Sequence, residues 1–162
     1  MDIEINHIFI SRDHNFVGHH GKAPSNFEID DCDTVQCVAG SGIVGDRFFN
    51  YKPDWKGQIT FFNMDIYQDV LRKFSKDLAN NHPSAFRRNV ITSGIDLNEL
   101  IGKDFSIGPV SFSGVEECKP CYWMDQACCD GVHEFLKGNG GLRARILSDG
   151  ELKKGKVKLL LH

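Results

Sequence analysis

Hydrophobic positions along most of this chain recur at every second residue or in short continuous runs, and both patterns are typical of β-strands. The segment from residue 3 to residue 9 alternates between apolar and polar side chains, which predicts a half-buried first strand. Runs rich in β-branched and aromatic residues predict further strands at residues 35–38, 58–62, 90–92 and 157–161. Strands therefore dominate the pattern.

Two segments have the pattern of a β-hairpin, in which two apolar runs flank a short turn. Residues 105–112 place Gly108-Pro109 between such runs, and residues 144–152 place Ser148-Asp149-Gly150 between another two. Glycine, proline, serine and aspartate are common turn residues. We therefore expect a hairpin at each of these places.

Helical periodicity is confined to short segments. Apolar residues at three- and four-residue steps predict a helix over residues 65–79, with Asn63 as its N-cap. Asp96, followed three residues later by Glu99, predicts one capped turn, and a third helix is predicted over residues 131–137, before Gly138.

Many short strands separated by glycines favour a mainly β fold with a few short helices over a parallel α/β sheet. We expect a closed or nearly closed β-barrel. The length of 162 residues indicates a single domain over residues 1–162.

Composition is ordinary for a soluble globular protein, with 41% hydrophobic and 25% charged residues. The net charge of −3 lacks the basic excess of a nucleic-acid binder. No apolar run approaches the roughly 20 residues of a membrane helix, and the acidic N-terminus does not resemble a signal peptide. We therefore expect a cytoplasmic protein with neither nucleic acid nor membrane as a partner.

Cys118-Lys119-Pro120-Cys121 is the most informative motif in the chain, because a thiolate can be a nucleophile, a sulfur carrier, a redox partner or a soft-metal ligand. A disulfide framework is unusual in a chain of this size without a secretory signal. Zinc would need four ligands, and His133 is the nearest downstream histidine. A thioredoxin-like pair normally opens a helix in a βαβ unit, which is absent here. Cys128 and Cys129 are adjacent, so their side chains diverge, and we interpret them as bystanders. The other two cysteines are Cys32 and Cys37.

Three further segments combine glycine or asparagine with arginine. Residues 40–47 contain three glycines before Arg47. The glycines allow tight turns with exposed amides, and the Arg47 guanidinium is able to bind an oxyanion through two hydrogen bonds. A simple turn with a surface Asp46–Arg47 pair explains this segment equally well.

The segment Arg87-Arg88-Asn89 precedes a strand, and neighbours on an extended segment face opposite ways. We expect Arg87 to face a pocket, although an exposed basic pair is the alternative.

The third segment, residues 138–145, delivers Arg143 and Arg145 to the same face of a strand, because side chains alternate along strands. A hydrated edge strand is the alternative.

Taken in order, these motifs closely resemble the MOSC family, named for the C-terminal domain of molybdenum-cofactor sulfurase. The resemblance runs from about Ile5 to Leu161, and the segments that carry it are residues 40–47, 57–60, 87–97, 100–103, 118–121 and 140–145.

The resemblance implies a MOSC-type β-barrel and binding of the molybdenum cofactor, a molybdopterin. The thiolate that ligates the metal in related proteins falls on Cys121, with Cys118 as the runner-up. Arg87 and Asn89 match a segment near the pterin phosphate in relatives. Arg47, Arg143 and Arg145 also fall in family motifs, and we expect all five residues to bind the cofactor.

The resemblance implies two classes of function. In the first, the protein is an oxidoreductase component that reduces small N-hydroxylated compounds, with electrons from a separate donor protein. In the second, it is a carrier of cofactor or sulfur, with a persulfide on Cys121 or Cys118. A MOSC fold without cofactor is the third alternative. The larger relatives have an additional N-terminal β-barrel domain that these residues lack, so we expect weaker cofactor binding or a partner.

The segment around His19 and His20 is unlike the larger relatives. A histidine pair between glycines fits a second anion or metal site, or a proton source. An exposed loop with incidental histidines is the favoured alternative.

Overall fold

The computed structural model describes residues 1–14, 25–75, 77 and 81–162. The strands in these residues are β1 (Asp2–Ser11), β2 (Ile29–Asp31), β3 (Thr34–Val38), β4 (Gly42–Ile43), β5 (Ile59–Asn63), β6 (Val90–Ser93), β7 (Asp104–Ile107), β8 (Val110–Glu117), β9 (Leu142–Ile146), β10 (Gly150–Lys153) and β11 (Gly155–Leu161). The α-helices are α1 (Met64–Phe74), α2 (Trp123–Ala127) and α3 (Val132–Phe135), and single 3-10 turns occupy Pro83–Phe86 and Leu97–Leu100. Within the same residues, no helix is long and apolar enough to cross a membrane.

Seven strands close into a barrel in the order β1-β11-β7-β8-β9-β5-β6, with β6 returning to β1. Closure depends on β1, which pairs with β11 along one edge and with β6 along the other. Strand β2 extends beside the far end of β1, and β10, β3 and β4 form a second, smaller sheet. The expected mainly β barrel with short helices is therefore confirmed.

Strands β5 and β6 are the parallel pair of this barrel, and α1 is the crossover that joins them. Asn63 ends β5 and begins α1, because its side-chain oxygen accepts from the amide of Asp65 at 2.7 Å. The helix ends at Phe74, earlier than expected, because the Asp77 amide bonds to the Phe74 carbonyl in a tighter turn. The predicted last residue, at position 79, lies outside the described residues.

Two apolar clusters share the strands of the barrel. Phe61 points into the barrel and packs edge-on against Phe112, with ring centroids 5.5 Å apart. The next residue, Phe62, points outward and stacks on Phe86 at 5.0 Å, under the helices. Neighbouring strand residues face opposite sides of a sheet. The barrel therefore has an inner core and a second core between its wall and the helices.

The first strand does not keep the simple alternation that the sequence indicates. Its pairing with β6 shifts register between Ile5 and His7. After this bulge, Ile8 joins the inner core and Phe9 joins the outer one. One extra residue exchanges the two faces of a strand, and the hydrophobic pattern cannot show where this occurs.

The hairpin prediction for residues 105–112 is confirmed, because β7 pairs directly with β8 through a turn in which Gly108 has a φ of +56°. The hairpin prediction for residues 144–152 is wrong. Strand β9 pairs with β8 and β5, whereas β10 pairs with β3. The Asp149 carboxylate accepts from the amide of Ala39 at 2.8 Å and turns the chain toward the smaller sheet. A short polar loop is compatible with a hairpin or with such a corner.

The two other predicted helical segments, around Asp96 and after Gly131, are confirmed. The Asp96 carboxylate caps the 3-10 turn Leu97–Leu100 by accepting from the amide of Asn98 at 2.9 Å. The third predicted helix is the short α3, which begins after Gly131. Helix α2 was not predicted, because its five residues are too few to show a helical period.

Arg88 joins three segments at one end of the barrel. Its buried guanidinium donates from Nε to the Gly140 carbonyl at 2.9 Å, from Nη1 to the Phe86 carbonyl at 2.9 Å and from Nη2 to the Cys118 carbonyl at 2.7 Å. These carbonyls belong to the chain before β6, after β8 and before β9. One side chain therefore fixes the relative positions of three connections.

We predict that Arg88→Lys lowers the free energy of unfolding by about 3 kcal/mol or more, because an ammonium cannot replace a planar fork and a bond to a charged donor contributes about 1.5–3 kcal/mol. Urea denaturation measures the change. Arg72→Lys on the exposed face of α1 is the matched control, with an expected change below about 0.5 kcal/mol. Equal stabilities of the two variants would contradict the role assigned to Arg88.

Candidate functional site

Both thiols of the Cys-x-x-Cys motif line one cavity of about 170 Å³ at this end of the barrel, which we call the cysteine cavity. Basic and aromatic side chains complete its wall. The basic residues are Arg47, Arg87, Arg88, Lys119 and Arg143, and the aromatic residues are Phe48 and Trp55. The structure therefore brings together residues that are up to 96 positions apart, from Arg47 to Arg143.

The cysteine loop, residues 118–121, is held rigidly against the segment before β9. The amide of Cys118 donates to the Gly141 carbonyl at 2.7 Å, and its own carbonyl accepts from Arg88. A Cβ atom on Gly140 would lie 2.4 Å from the Cys118 oxygen and 2.7 Å from Cδ of Pro120. Only glycine fits at such a distance, so the cysteine loop and the glycine motif form one unit.

The two thiols differ in accessibility. Cys118 is 5% exposed, whereas Cys121 is half-buried and is the thiol that a ligand reaches first. The Cys121 carbonyl accepts from the amide of Met124 at 2.8 Å, which ties the end of the cysteine loop to α2. Both residues are free thiols.

The other four cysteines lie elsewhere. Burial raises the pKa of the Cys37 thiol to about 12, and it does the same for Cys128. Burial and neighbouring acids also raise the pKa of Cys32 and of Cys129. Thiolate is the reactive form of cysteine, so these four are poor nucleophiles at neutral pH. This agrees with the interpretation of Cys128 and Cys129 as bystanders.

Arg47 is not part of a surface ion pair. Its side chain is 11% exposed and that of Asp46 is 1% exposed, with 3.3 Å between Nη1 and Oδ1. The Asp46 carboxylate also accepts from the amides of Ser11 and Phe48, at 3.2 and 3.1 Å. Burial lowers the pKa of Arg47, and Asp46 acts against this shift. The turn at residues 40–47 therefore directs a cation into the cysteine cavity.

Arg87 and Arg88 both reach the cysteine cavity, contrary to the expectation that they face opposite ways. Arg87 has a φ of +59°, so the segment is left-handed there and the alternation of an extended chain does not apply. Burial, followed by repulsion from Arg47, lowers the pKa of Arg87 to about 10. Arg87 thus remains charged at neutral pH in a strongly positive environment. Arg88, in contrast, donates its hydrogen bonds to main-chain carbonyls.

Asn89 braces the strands beside the arginines. Its side-chain oxygen accepts from the amide and the hydroxyl of Thr60 at 3.0 and 2.9 Å, and its Nδ2 donates to the Phe9 carbonyl at 3.2 Å. The residue is buried and does not line the cysteine cavity. These bonds fit a positioning residue better than a residue that binds a ligand directly.

Arg143 and Arg145 share one face of β9, as the alternation indicates, but only Arg143 lines the cysteine cavity. Arg143 lies 3.5 Å from Glu116, with its guanidinium 5.8 Å from the centre of the Trp55 ring. Arg145 lies 2.7 Å from the Asp54 carboxylate, outside the cavity.

Sequence reasoning missed the aromatic part of the site. Phe48 and Trp55 stack with centroids 5.9 Å apart, and His14 packs edge-on against Phe48 at 4.9 Å. Burial, then Arg47 and Arg87, lower the pKa of His14, so its imidazole is neutral at pH 7. The only signal was local: Phe48 directly follows Arg47 in a motif already identified.

His19 and His20 lie outside the described residues. Within residues 1–14, 25–75, 77 and 81–162, no three His, Cys, Asp or Glu side chains are grouped so as to hold a metal ion.

Several solved structures have the same fold over almost the whole chain. The YuaD protein from Bacillus subtilis is 16% identical, with a TM-score of 0.77, and the match covers 100% of this chain and 97% of that one. YiiM from Escherichia coli is 15% identical, with a TM-score of 0.67 and coverages of 99% and 70%. YiiM from Geobacillus stearothermophilus is 13% identical, with a TM-score of 0.67 and coverages of 99% and 75%.

No curated protein matches this sequence. The family model of the MOSC domain matches residues 50–157, which include the crossover, the cysteine loop and the arginines of β9. This match covers most of the chain, and the protein therefore belongs to the MOSC domain family.

Proposed function

We propose that this protein binds the molybdenum cofactor, with Cys121 as the protein ligand of the metal, and reduces small N-hydroxylated compounds. One observation carries the proposal: a half-buried thiol and a group of half-buried arginines line the same cavity. The MOSC domain is associated with molybdenum cofactor binding, and this cavity contains the types of side chain that such a cofactor requires.

The donor set fits the two ends of a molybdopterin. A thiolate is a suitable ligand for a soft metal with sulfur ligands, and a guanidinium matches a phosphate through forked hydrogen bonds. The cysteine cavity, at about 170 Å³, is smaller than the roughly 300–1,000 Å³ of common ligand pockets. It therefore accommodates only part of a pterin cofactor.

Electrostatics also favour an anion. Burial lowers the pKa of Arg47 and of Arg87, and a neighbouring cation adds to each shift, Arg88 for Arg47 and Arg47 for Arg87. The nearby Asp46 carboxylate offsets part of this charge. A bound phosphate would relieve the repulsion through charge-assisted hydrogen bonds.

Each residue then has a distinct role. Cys121 ligates the metal, and Arg47 and Arg87 bind the phosphate, with Arg143 at the rim. Arg88 and Asn89 position the cysteine loop and the strands through the bonds described above. Phe48 and Trp55 exclude water from one wall of the cysteine cavity.

A bound molybdenum centre would supply the chemistry that removes an oxygen atom from the substrate. We propose that a separate protein supplies the electrons. His14 lies beside the arginines as a neutral imidazole, so its unprotonated ring nitrogen is able to hold a proton near the site.

A second candidate function is a carrier of sulfur, with a persulfide on Cys121. The presence of a second thiol, Cys118, in the same cavity favours this alternative, because a metal ligand requires only one thiol.

We predict that molybdenum and a pterin copurify with the protein from a host that makes the cofactor. Cys121→Ser is expected to lose the metal and any reduction of N-hydroxylated compounds, because a hydroxyl is a poor substitute for a soft thiolate. Cys129→Ser is the matched control, since it changes another half-buried thiol outside the cysteine cavity. Elemental analysis, pterin fluorescence and a reductase assay measure these properties.

Near-stoichiometric zinc without molybdenum in the wild-type protein would contradict cofactor binding. Full molybdenum content and activity in Cys121→Ser, with both lost in Cys118→Ser, would show that the other thiol is the ligand.

We predict that Arg87→Ala weakens retention of the pterin cofactor by about 2–3 kcal/mol, or roughly thirty- to one-hundred-and-fiftyfold, because a partly buried forked contact to phosphate is lost. Lys153→Ala on the exposed side of β10 is the control and is expected to retain the cofactor fully. Cofactor occupancy after extensive dialysis measures both. Equal occupancy of Arg87→Ala and wild type would remove Arg87 from the phosphate site.

A further inference from the structure

Cys118 is a second thiol in the cysteine cavity, and it has no role in the proposed metal site. It is 5% exposed and lines the same cavity as Cys121, which is half-buried. Both thiols lie close enough to Arg87 for their charges to influence its pKa. The cavity therefore contains a pair of cysteines with one accessible and one shielded member.

The backbone of Cys118 is fixed from two sides. Arg88 binds its carbonyl and Gly141 binds its amide, each at 2.7 Å. The close packing of Gly140 on Pro120 leaves the cysteine loop little freedom to move away. Two residues separate the thiols, which is the spacing of dithiols that form and break disulfides reversibly.

We propose that Cys118 is the resolving thiol of Cys121, so that the cysteine cavity accepts sulfane sulfur from an inorganic or organic polysulfide and discharges it as hydrogen sulfide. This inference rests on Cys121 being the reactive thiol of the proposed function and does not require bound molybdenum.

The chemistry balances in two steps. The Cys121 thiol takes one sulfur atom from the polysulfide chain and becomes a persulfide, and the polysulfide leaves one sulfur shorter. Cys118 then attacks the Cys121 sulfur bonded to its Cβ, a disulfide forms between the two cysteines, and the outer sulfur leaves as hydrogen sulfide with the proton from Cys118. The two thiols are oxidised and the sulfane sulfur is reduced. An external dithiol restores the pair.

The wall of the cysteine cavity suits these reactants. Polysulfide and hydrosulfide are anions, and Arg47, Arg87 and Lys119 line the cavity with positive charge. The shielding of Cys118 also matters, because a buried resolving thiol reacts with its neighbour in preference to reagents in solution.

The test uses the full chain, reduced and purified from a host that makes no molybdenum cofactor, incubated with inorganic polysulfide without oxygen. Intact mass, peptide mapping and a sulfide assay follow the products. The wild type is expected to lose two hydrogens, to show a Cys118–Cys121 link and to release sulfide. Cys118→Ser and Cys118→Ala are expected to keep one added sulfur on Cys121 and to release sulfide only after a dithiol is added.

Two controls separate the proposed pair from general thiol oxidation. Cys129→Ser is expected to behave as the wild type, and sodium sulfide in place of polysulfide is expected to leave both thiols reduced. The inference is overturned if the wild type keeps its persulfide as the Cys118 variants do. It is equally overturned if the disulfide joins any other pair.

The outcome for sulfur is separable from that for the metal. Disulfide formation here, with no molybdenum in protein from a cofactor-producing host, would refute the proposed metal site alone. Molybdenum bound there, with a persistent persulfide here, would refute the resolving role of Cys118 alone.

Discussion

The site depends on one buried cation whose hydrogen bonds are all directed at the main chain. Arg88 spans the carbonyls of Phe86, Cys118 and Gly140, and so ties the segment before β6 to the adjoining ends of the paired strands β8 and β9. A guanidinium is suited to this because its donors diverge in a fixed plane. The position of both thiols, and of the glycine segment against which they pack, follows from that arrangement.

Around Arg88 the protein concentrates positive charge where water is scarce. Arg47 and Arg87 lie near it, and burial, followed by repulsion between neighbouring arginines, lowers the pKa of both, while the buried Asp46 acts against the shift of Arg47. Such an arrangement reduces the stability of the fold, because charged groups are costly where they are poorly solvated. The aromatic wall of Phe48 and Trp55 strengthens the effect, because it keeps solvent from one side of the cysteine cavity.

The sequence predicts those features that depend on neighbouring residues. The caps at Asn63 and Asp96 and the β7–β8 hairpin are local, and they were predicted correctly. The corner at residues 147–150 and the bulge in β1 depend on strands far away in sequence, so no local pattern reveals them. The same holds for the site: the order of the family motifs identified its thiols and several arginines. The direction in which Arg87 points depends on one backbone angle. The hydrogen bonds of Arg88 to main-chain carbonyls depend on contacts with a segment far away in sequence.

The pairing of β1 with β11 has a consequence for how this protein folds. Asp2 lies opposite Lys158, so the seam that closes the barrel joins residues separated by nearly the whole chain. Contacts of such long sequence separation form late and slowly, because the chain loses conformational entropy when the loop closes, before strand pairing contributes any stabilisation. Until the seam closes, the edges of β1 and β11 are exposed and able to pair with another chain. The period before closure is therefore when this protein is most susceptible to misassembly.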